Sequence, residues 1–366
     1  MSETALSTWT RRARYAARQG ARVTWFAAHG ELAQAITRRV SRRHRTEEAE
    51  APSPAAPRKP RGNTPDQRRL FAQIADLFRR DLANIEAGHY PVPDGEFGSP
   101  LKFLDLSRRF LRDVPEVARR RVTGAHQEVF EATREAPQGL PRYYRQNFHY
   151  QTDGWLSRDS ARIYDFQVEV LFKGATAAMR RQALVPLSQL LREKDQRHVA
   201  YADIACGTGG LLAPALGAFP RLRGVGVDLS HPIFSMPVRP CRSVPAPVLP
   251  SSRRWRKPCP SPTTVSTLQA ASICFTNCRR RSAARWRANR PRAQARRPAD
   301  LRRQSPGGRP AGKRWSAGAV SSTFHEPYYA GYLTDDLDGV FAAAGLRRRD
   351  LTCAFLTRIA VYEKQA

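Results

Sequence analysis

Residues 203 to 210 read Asp-Ile-Ala-Cys-Gly-Thr-Gly-Gly, and a second acid, Asp228, closes the hydrophobic stretch that follows. This set of residue types can hold a polar ligand. Glycines let the backbone approach a ligand closely, and the start of a helix offers free N–H groups at the positive end of its dipole. Gly207, Gly209 and Gly210 suit that role, with Thr208 between the first two. A carboxylate at the end of the next strand can accept both hydroxyl hydrogens of a ribose, and Asp228 is spaced to do so. The flanking sequence supplies the elements that must position these groups. HVAYADI, from His198, reads as a strand, and the run after Gly210 reads as a helix. RLRGVGVDLS, residues 221 to 230, reads as the next strand. A strand–turn–helix–strand unit of this kind implies a parallel sheet with helices on its faces.

Two ligand classes use such a turn. A dinucleotide needs G-x-G-x-x-G, and here the third glycine position is Leu212, so that fingerprint fails. The other pattern places an acid four residues before the first retained glycine, where Asp203 stands. DIACGTGG resembles motif I of the class I S-adenosylmethionine-dependent methyltransferases, with Ala205 where that family frequently has glycine. The resemblance implies that the cofactor is S-adenosyl-L-methionine. It implies that Asp203 helps hold the methionine end and that the chain from Ala205 through Gly207, Thr208 and Gly209 passes under the cofactor. It also implies that Asp228 binds the ribose. The fold class that goes with it is α/β, a Rossmann-like methyltransferase sheet behind an N-terminal helical region.

Two other segments carry the same resemblance. NFHYQTDGWLS, followed by IYDFQVEVLF, is similar to the pre-core region of bacterial and plastid-type methyltransferases. FHEPYYAGYLTDDLDGVFAAAGL and the two strand-like runs after it resemble the family's last helix and reversed final strands. The implied activity is methyl transfer to a small-molecule or lipid-like acceptor, whose identity these motifs leave open. Candidates on the acceptor side are His149, Tyr150, His325, Glu326, Tyr328 and Tyr329. For each of them the alternative is structural: a packed aromatic or a satisfied polar group.

Around this core the chain divides by composition. Residues 1 to 46 read as a basic helical arm in which Trp9, Val23, Trp25, Phe26, Leu32, Ile36 and Val40 alternate with arginines. A basic helix with aromatic anchors can contact an anionic membrane surface; the alternative is an arm packed on the body of the protein. Gly20 and Gly30 weaken a single long helix. Residues 47 to 63 are a Pro- and Ala-rich linker. Residues 64 to 195 form a helical pre-core region. Its first helix starts at Thr64 and Pro65, carries Leu70, Phe71, Ile74, Leu77, Phe78, Leu82 and Ile85 on one face, and stops at Gly88. A second runs from Leu101 to Phe130 with a break near Pro115, and two more cover Ser157 to Phe172 and Thr176 to Arg192. Residues 196 to 230 are the first half of the core and 323 to 366 its C-terminal part, where Thr334 caps a helix. Leu351 to Leu356 and Ile359 to Glu363 then read as an antiparallel hairpin closing the same sheet.

Residues 231 to 322 do not fit. They hold 13 prolines and four of the six cysteines, where the family resemblance requires three apolar strands. From Leu229 to His325 there are 20 Lys and Arg against a single acid, Asp300, which accounts for +19 of the formal +30. The ten arginines of residues 1 to 45 face two acids and add +8, so the remaining sequence is near neutral at +3. Three explanations remain open: a disordered insertion, an arginine-rich RNA-binding segment, or a stretch translated out of frame from a GC-rich gene. Composition favours the last, because misreading such a gene yields Arg, Pro, Ala, Ser and Cys and loses acids. Ser272 to Arg280 can be written in codons whose neighbouring frame spells His-Leu-Leu-His-Glu-Leu-Pro-Pro, similar to what the family carries after its fourth strand. The alternatives to an active enzyme are therefore an inactive or truncated relative and an Arg-rich nucleic-acid binder, although no specific nucleic acid is expected from a near-neutral core.

Other classes are excluded more simply. The cysteines form no C-x-x-C pair and no spacing with histidine that suits a metal, so neither a disulfide framework nor a zinc site is expected. No run of 18 apolar residues occurs and no signal-peptide core opens the chain, which gives a cytoplasmic expectation.

Overall fold

The structure is a computed structural model that describes residues 3–48, 67–92, 99–125, 127–129, 147–154, 157–228 and 336–364. Helices dominate the described residues. A single helix, α1, spans Glu3–Glu48 and runs through both Gly20 and Gly30. It is continuous because its inner face is packed: Tyr15 and Phe26 are buried, with Phe26 fully enclosed. Tertiary burial of this kind outweighs the modest cost of glycine in a helix.

Helix α2, Gln67–Glu86, buries Ile74 and Leu77 on the expected face. Thr64 and Pro65 lie outside the described residues. Helix α3, Pro100–Thr123, is capped by Ser99, whose hydroxyl accepts from Lys102 N at 3.3 Å, and ends at Gly124 with φ 69°. Pro115 does not break it. Ser107, Phe110, Val114 and Ala118 keep one buried stripe in register across that position, so packing holds the helix together despite the missing N–H. Helix α4, Arg158–Leu171, is capped by Ser157. The region expected as one helix from Thr176 to Arg192 is two, α5 Thr176–Arg181 and α6 Leu184–Arg192. Pro186 explains the break. It cannot donate to the Gln182 carbonyl, which is reached instead by Val185 N at 3.4 Å.

Strand β1, Ala200–Ile204, pairs in parallel with β2, Arg223–Val227, with Ala200 opposite Arg223 and Ile204 opposite Val227. Helix α7, Leu212–Ala218, connects them. A short helix α8, Leu337–Ala342, precedes β3, Leu346–Ala354, and β4, Thr357–Lys364, which form an antiparallel hairpin. Helix α8 is capped by Asp336, whose side chain accepts from Gly339 N, and not by Thr334, which is outside the described residues. Strand β3 begins five residues before the expected Leu351, because Arg347 to Asp350 carry no apolar alternation and a bulge falls between Arg348 and Asp350.

The two strand pairs form separate sheets among the described residues, so the single Rossmann-like sheet expected from the sequence is not what is seen. The strands that would join them fall within residues 229–335, outside the described residues. The hairpin packs elsewhere. Ala354 and Phe355, at its turn, join Ile74 and Leu77 of α2 and Met179 of α5 in one core cluster, and Arg80 donates to the Cys353 carbonyl at 3.0 Å. A second cluster gathers Phe26, Phe110, Val114, Phe166 and Val170 from α1, α3 and α4. A third sets α7 against the helical region through Tyr90, Leu184 and Ala215.

One buried polar network ties these helices. The Asp81 carboxylate, fully buried in α2, receives Arg181 Nη2 at 2.7 Å and Arg181 Nε at 3.1 Å. It also accepts from Tyr15 of α1 at 2.5 Å and from Tyr90 at 2.9 Å. Asp81 follows Ile74 and Leu77 at helical spacing, so the sequence places a charge on the buried stripe; the structure supplies its partners.

Candidate functional site

The glycine turn is built by its neighbours on all sides. As β1 ends, Ala205 N and Cys206 N both donate to the Val227 carbonyl, at 2.7 and 3.2 Å, which folds the chain over the end of β2. Ala205, Gly207 and Gly209 all have positive φ, at 61°, 56° and 80°. Glycine tolerates this region freely, whereas Ala205 occupies it at a steric cost. Gly209 N then donates to the Cys206 carbonyl at 3.0 Å, and Ala213 N to the Gly209 carbonyl at 2.9 Å, which leads into α7.

Asp228 faces this turn from the end of β2: its Oδ2 accepts from Gly207 N at 2.8 Å. Asp203, at the end of β1, accepts a backbone hydrogen bond from Leu212, while its Oδ2 is buried with no hydrogen-bond partner among the described residues. Burial is the main reason that its pKa is raised from 3.8 to about 6; Arg180 pulls it down and Asp228 pushes it up. Burial likewise pushes the Cys206 thiol up to about 12, so this cysteine is no thiolate nucleophile at neutral pH.

Two residues from the helical region complete the site. Asp165 of α4 accepts from the Thr208 hydroxyl at 2.6 Å, and the Arg180 guanidinium of α5 binds the same carboxylate at 3.2 Å. Arg180 also lies directly over Gly210, where any side chain would collide with its guanidinium. Neither residue was singled out from the sequence. The available signal was weak: charged residues set in helices that otherwise bury Phe166, Val170, Ala178 and Met179.

Ala205, Gly207, Thr208 and Gly209 thus form one turn, flanked by Asp203 of β1 and by Asp228 at the end of β2. His149 and Tyr150 sit in a single 3₁₀ turn, Phe148–Tyr150, that packs on α3, both with positive φ. Buried Asn147 anchors that segment, accepting from Val129 N at 3.1 Å and donating to the Gln151 carbonyl at 2.9 Å. Burial raises the pKa of Tyr150, with Arg121 opposing the shift. None of the hydrogen bonds to the glycine turn given above comes from His149 or Tyr150. His325, Glu326, Tyr328 and Tyr329 lie outside the described residues. Among the described residues no group of His, Cys, Asp and Glu is arranged to hold a metal, and no helix is long and apolar enough to cross a membrane.

The arrangement brings complementary charges to one turn: a guanidinium at Gly210, a buried carboxylate oxygen of Asp203 without a partner among the described residues, and a second carboxylate at Asp228. Such a set suits a ligand with an anionic and a cationic group close together and a hydroxylated ring beyond them. Comparison with protein-family models, with curated protein sequences and with solved structures gives no match to this chain.

Proposed function

We propose that this chain derives from an S-adenosyl-L-methionine-dependent methyltransferase acting on a small-molecule or lipid-like acceptor, with the turn from Asp203 to Gly210 as its cofactor cradle. The observation that carries this is the buried Oδ2 of Asp203, which has no hydrogen-bond partner among the described residues and lies within the field of the Arg180 guanidinium. An amino-acid end group matches that pair, because its ammonium needs an acceptor and its carboxylate a cation. Gly207 and Gly209 leave the floor of the cradle free of side chains, and Asp228 supplies the acceptor for ribose hydroxyls. The bound cofactor supplies an activated methyl group on a sulfonium. What the protein contributes is alignment and exclusion of water, since the leaving group needs no further activation.

A second reading has an observation of its own. Strand β1 is paired along one edge among the described residues, and its Ala200, Ala202 and Ile204 are exposed, with Ile204 at 70%. An inactive or truncated relative would keep the turn and lack the rest of the sheet. Titration of the chain with S-adenosylmethionine in a calorimeter tests the proposal. Weak binding is expected, on the order of 100 µM, displaced by S-adenosylhomocysteine and not by NAD. No binding up to millimolar cofactor, or equal competition by NAD, would overturn it.

A further inference from the structure

The face of the α1–α3 pair that points away from α4 carries features which core packing does not use. Trp25 of α1 meets Phe103 of α3 in a tilted ring contact at 5.1 Å, and His29 bonds to Ser107, so the two helices run side by side in the same direction. Phe166 of α4 covers one side of the pair through contacts with Phe26, Phe103 and Phe110. With about 100° of turn per residue, Leu101 and Leu104 of α3 fall on the side of that helix away from Phe103 and Phe110, and Leu32 of α1 falls about 120° from Phe26. Leu32, Leu101 and Leu104 are exposed, at 47%, 78% and 54%. Arg39 follows Leu32 by two helical turns, and Arg108 and Arg112 continue the stripe that Leu101 and Leu104 begin; the acid on the same stripe, Asp105, is paired with Arg109 at 2.8 Å. Arg39, Arg108 and Arg112 are exposed and pair with no acid among the described residues.

We infer that this face docks on an anionic lipid surface, with Leu32, Leu101 and Leu104 entering the interface and Arg39, Arg108 and Arg112 meeting the headgroups. Charge complementarity and the chemistry of the apolar residues both select that partner. Exposed aliphatic side chains within a cationic surface gain by leaving water for acyl chains, whereas a nucleic acid draws its sequence-independent affinity from aromatic stacking and backbone charge. In α1 the exposed Arg38, Arg42 and Arg43 extend the positive field, again with no acidic partner among the described residues. The inference is independent of methyl transfer and concerns a different surface from the glycine turn.

The experiment is co-sedimentation of the full chain with vesicles of phosphatidylcholine alone or mixed in equal parts with phosphatidylglycerol. The second arginine-rich stretch, residues 229 to 325, also attracts anions, so the deciding variant is Leu101→Ser/Leu104→Ser, which leaves every charge in place. Binding is expected to mixed vesicles and not to phosphatidylcholine, and the double serine variant should lower the partition coefficient about tenfold. Arg108→Gln/Arg112→Gln should also lower it and flatten its salt dependence. Both pairs lie on the surface, so unchanged circular dichroism and melting should accompany the loss. Binding by both variants at the level of the parent chain would overturn the inference. So would tighter binding to single-stranded RNA than to vesicles, with neither changed by the serine substitutions.

Discussion

The Asp228 carboxylate turns back onto the glycine turn, where its Oδ2 accepts the Gly207 N–H at 2.8 Å. One residue therefore pins the cradle and offers an acceptor to what enters it. Asp228→Ala should weaken binding of S-adenosylhomocysteine by about 2 to 3 kcal/mol, since a charge-assisted bond to ligand and one to the backbone are lost together. Asp203→Asn should cost less, because the amide oxygen can still accept from Leu212 N. Calorimetry on the two variants checks the order. Small and equal effects would remove this turn from consideration as the cofactor site.

Asp203 also makes stability depend on pH. Its pKa is raised from 3.8 to about 6 by burial. Between those values the folded state holds a proton that the unfolded chain has released, so stability falls as pH rises through the window. Above about pH 6 the full cost of the buried carboxylate is present, at most about 3 kcal/mol for this shift. Asp203→Asn should therefore raise the melting temperature at pH 7.5 and leave it nearly unchanged at pH 4. An equal shift at both pH values would mean that the carboxylate carries no burial penalty. Ligand affinity should move the other way and strengthen as Asp203 ionises, because an ammonium prefers the carboxylate form.

Ala205 stands in the left-handed region at φ 61°, where a β-carbon is unfavourable. Ala205→Gly should stabilise the folded chain by about 0.5 to 1 kcal/mol even after the extra entropy of glycine in the unfolded state. Gly209→Ala, at φ 80°, should destabilise it by a similar amount or more. Urea denaturation of both variants measures this, and a destabilising Ala205→Gly would contradict the strain.

The acid–glycine–acid pattern was legible because its spacing is local: each residue acts through the backbone of the same βαβ unit. Asp165 and Arg180 were not legible, since they meet Thr208 and Gly210 only once α4 and α5 dock on the turn. The break expected at Pro115 does not occur, for a related reason. Propensity is a local term, and the buried stripe that overrides it is supplied by other helices. The hairpin at the C-terminus was visible from its apolar alternation, yet its packing on α2 and α5 rests on Ala354 and Phe355, at a turn that no periodicity marks.

The Asp81 network makes α1 part of the fold. Asp81→Ala removes a buried ion-pair partner of Arg181 and leaves two tyrosine hydroxyls without the carboxylate that accepts from them, so about 3 kcal/mol should be lost. Tyr15→Phe removes one bond from α1 and should cost about 1 kcal/mol. Chemical denaturation of the full chain gives both numbers. A loss under 1 kcal/mol for Asp81→Ala would show that this network contributes little to holding α1 and α5 in place.

The edge of β1 that is unpaired among the described residues leads to the last prediction. In a doubly wound sheet the strand that carries the first acid is flanked on both edges and covered on both faces. Here Tyr201 and Asp203 face inward, while Ala200, Ala202 and Ile204 are exposed, and β2 is the strand's partner among the described residues. An exposed edge and an exposed apolar face both favour aggregation. The sequence between Asp228 and the C-terminal helix has the composition expected from a shifted reading frame, with 13 prolines and almost no acids in residues 231 to 322. Restoring the neighbouring frame over that stretch should supply apolar strands, remove most of the +30 charge, and cover Ile204. The restored chain should melt at a higher temperature, stay soluble at concentrations where the present chain aggregates, and bind S-adenosylmethionine at least about tenfold more tightly. Side-by-side expression, melting and calorimetry decide it. If the present chain melts cooperatively at the same temperature and binds equally well, the arginine-rich stretch is a genuine part of the protein, and the exposed face of β1 needs no further strand.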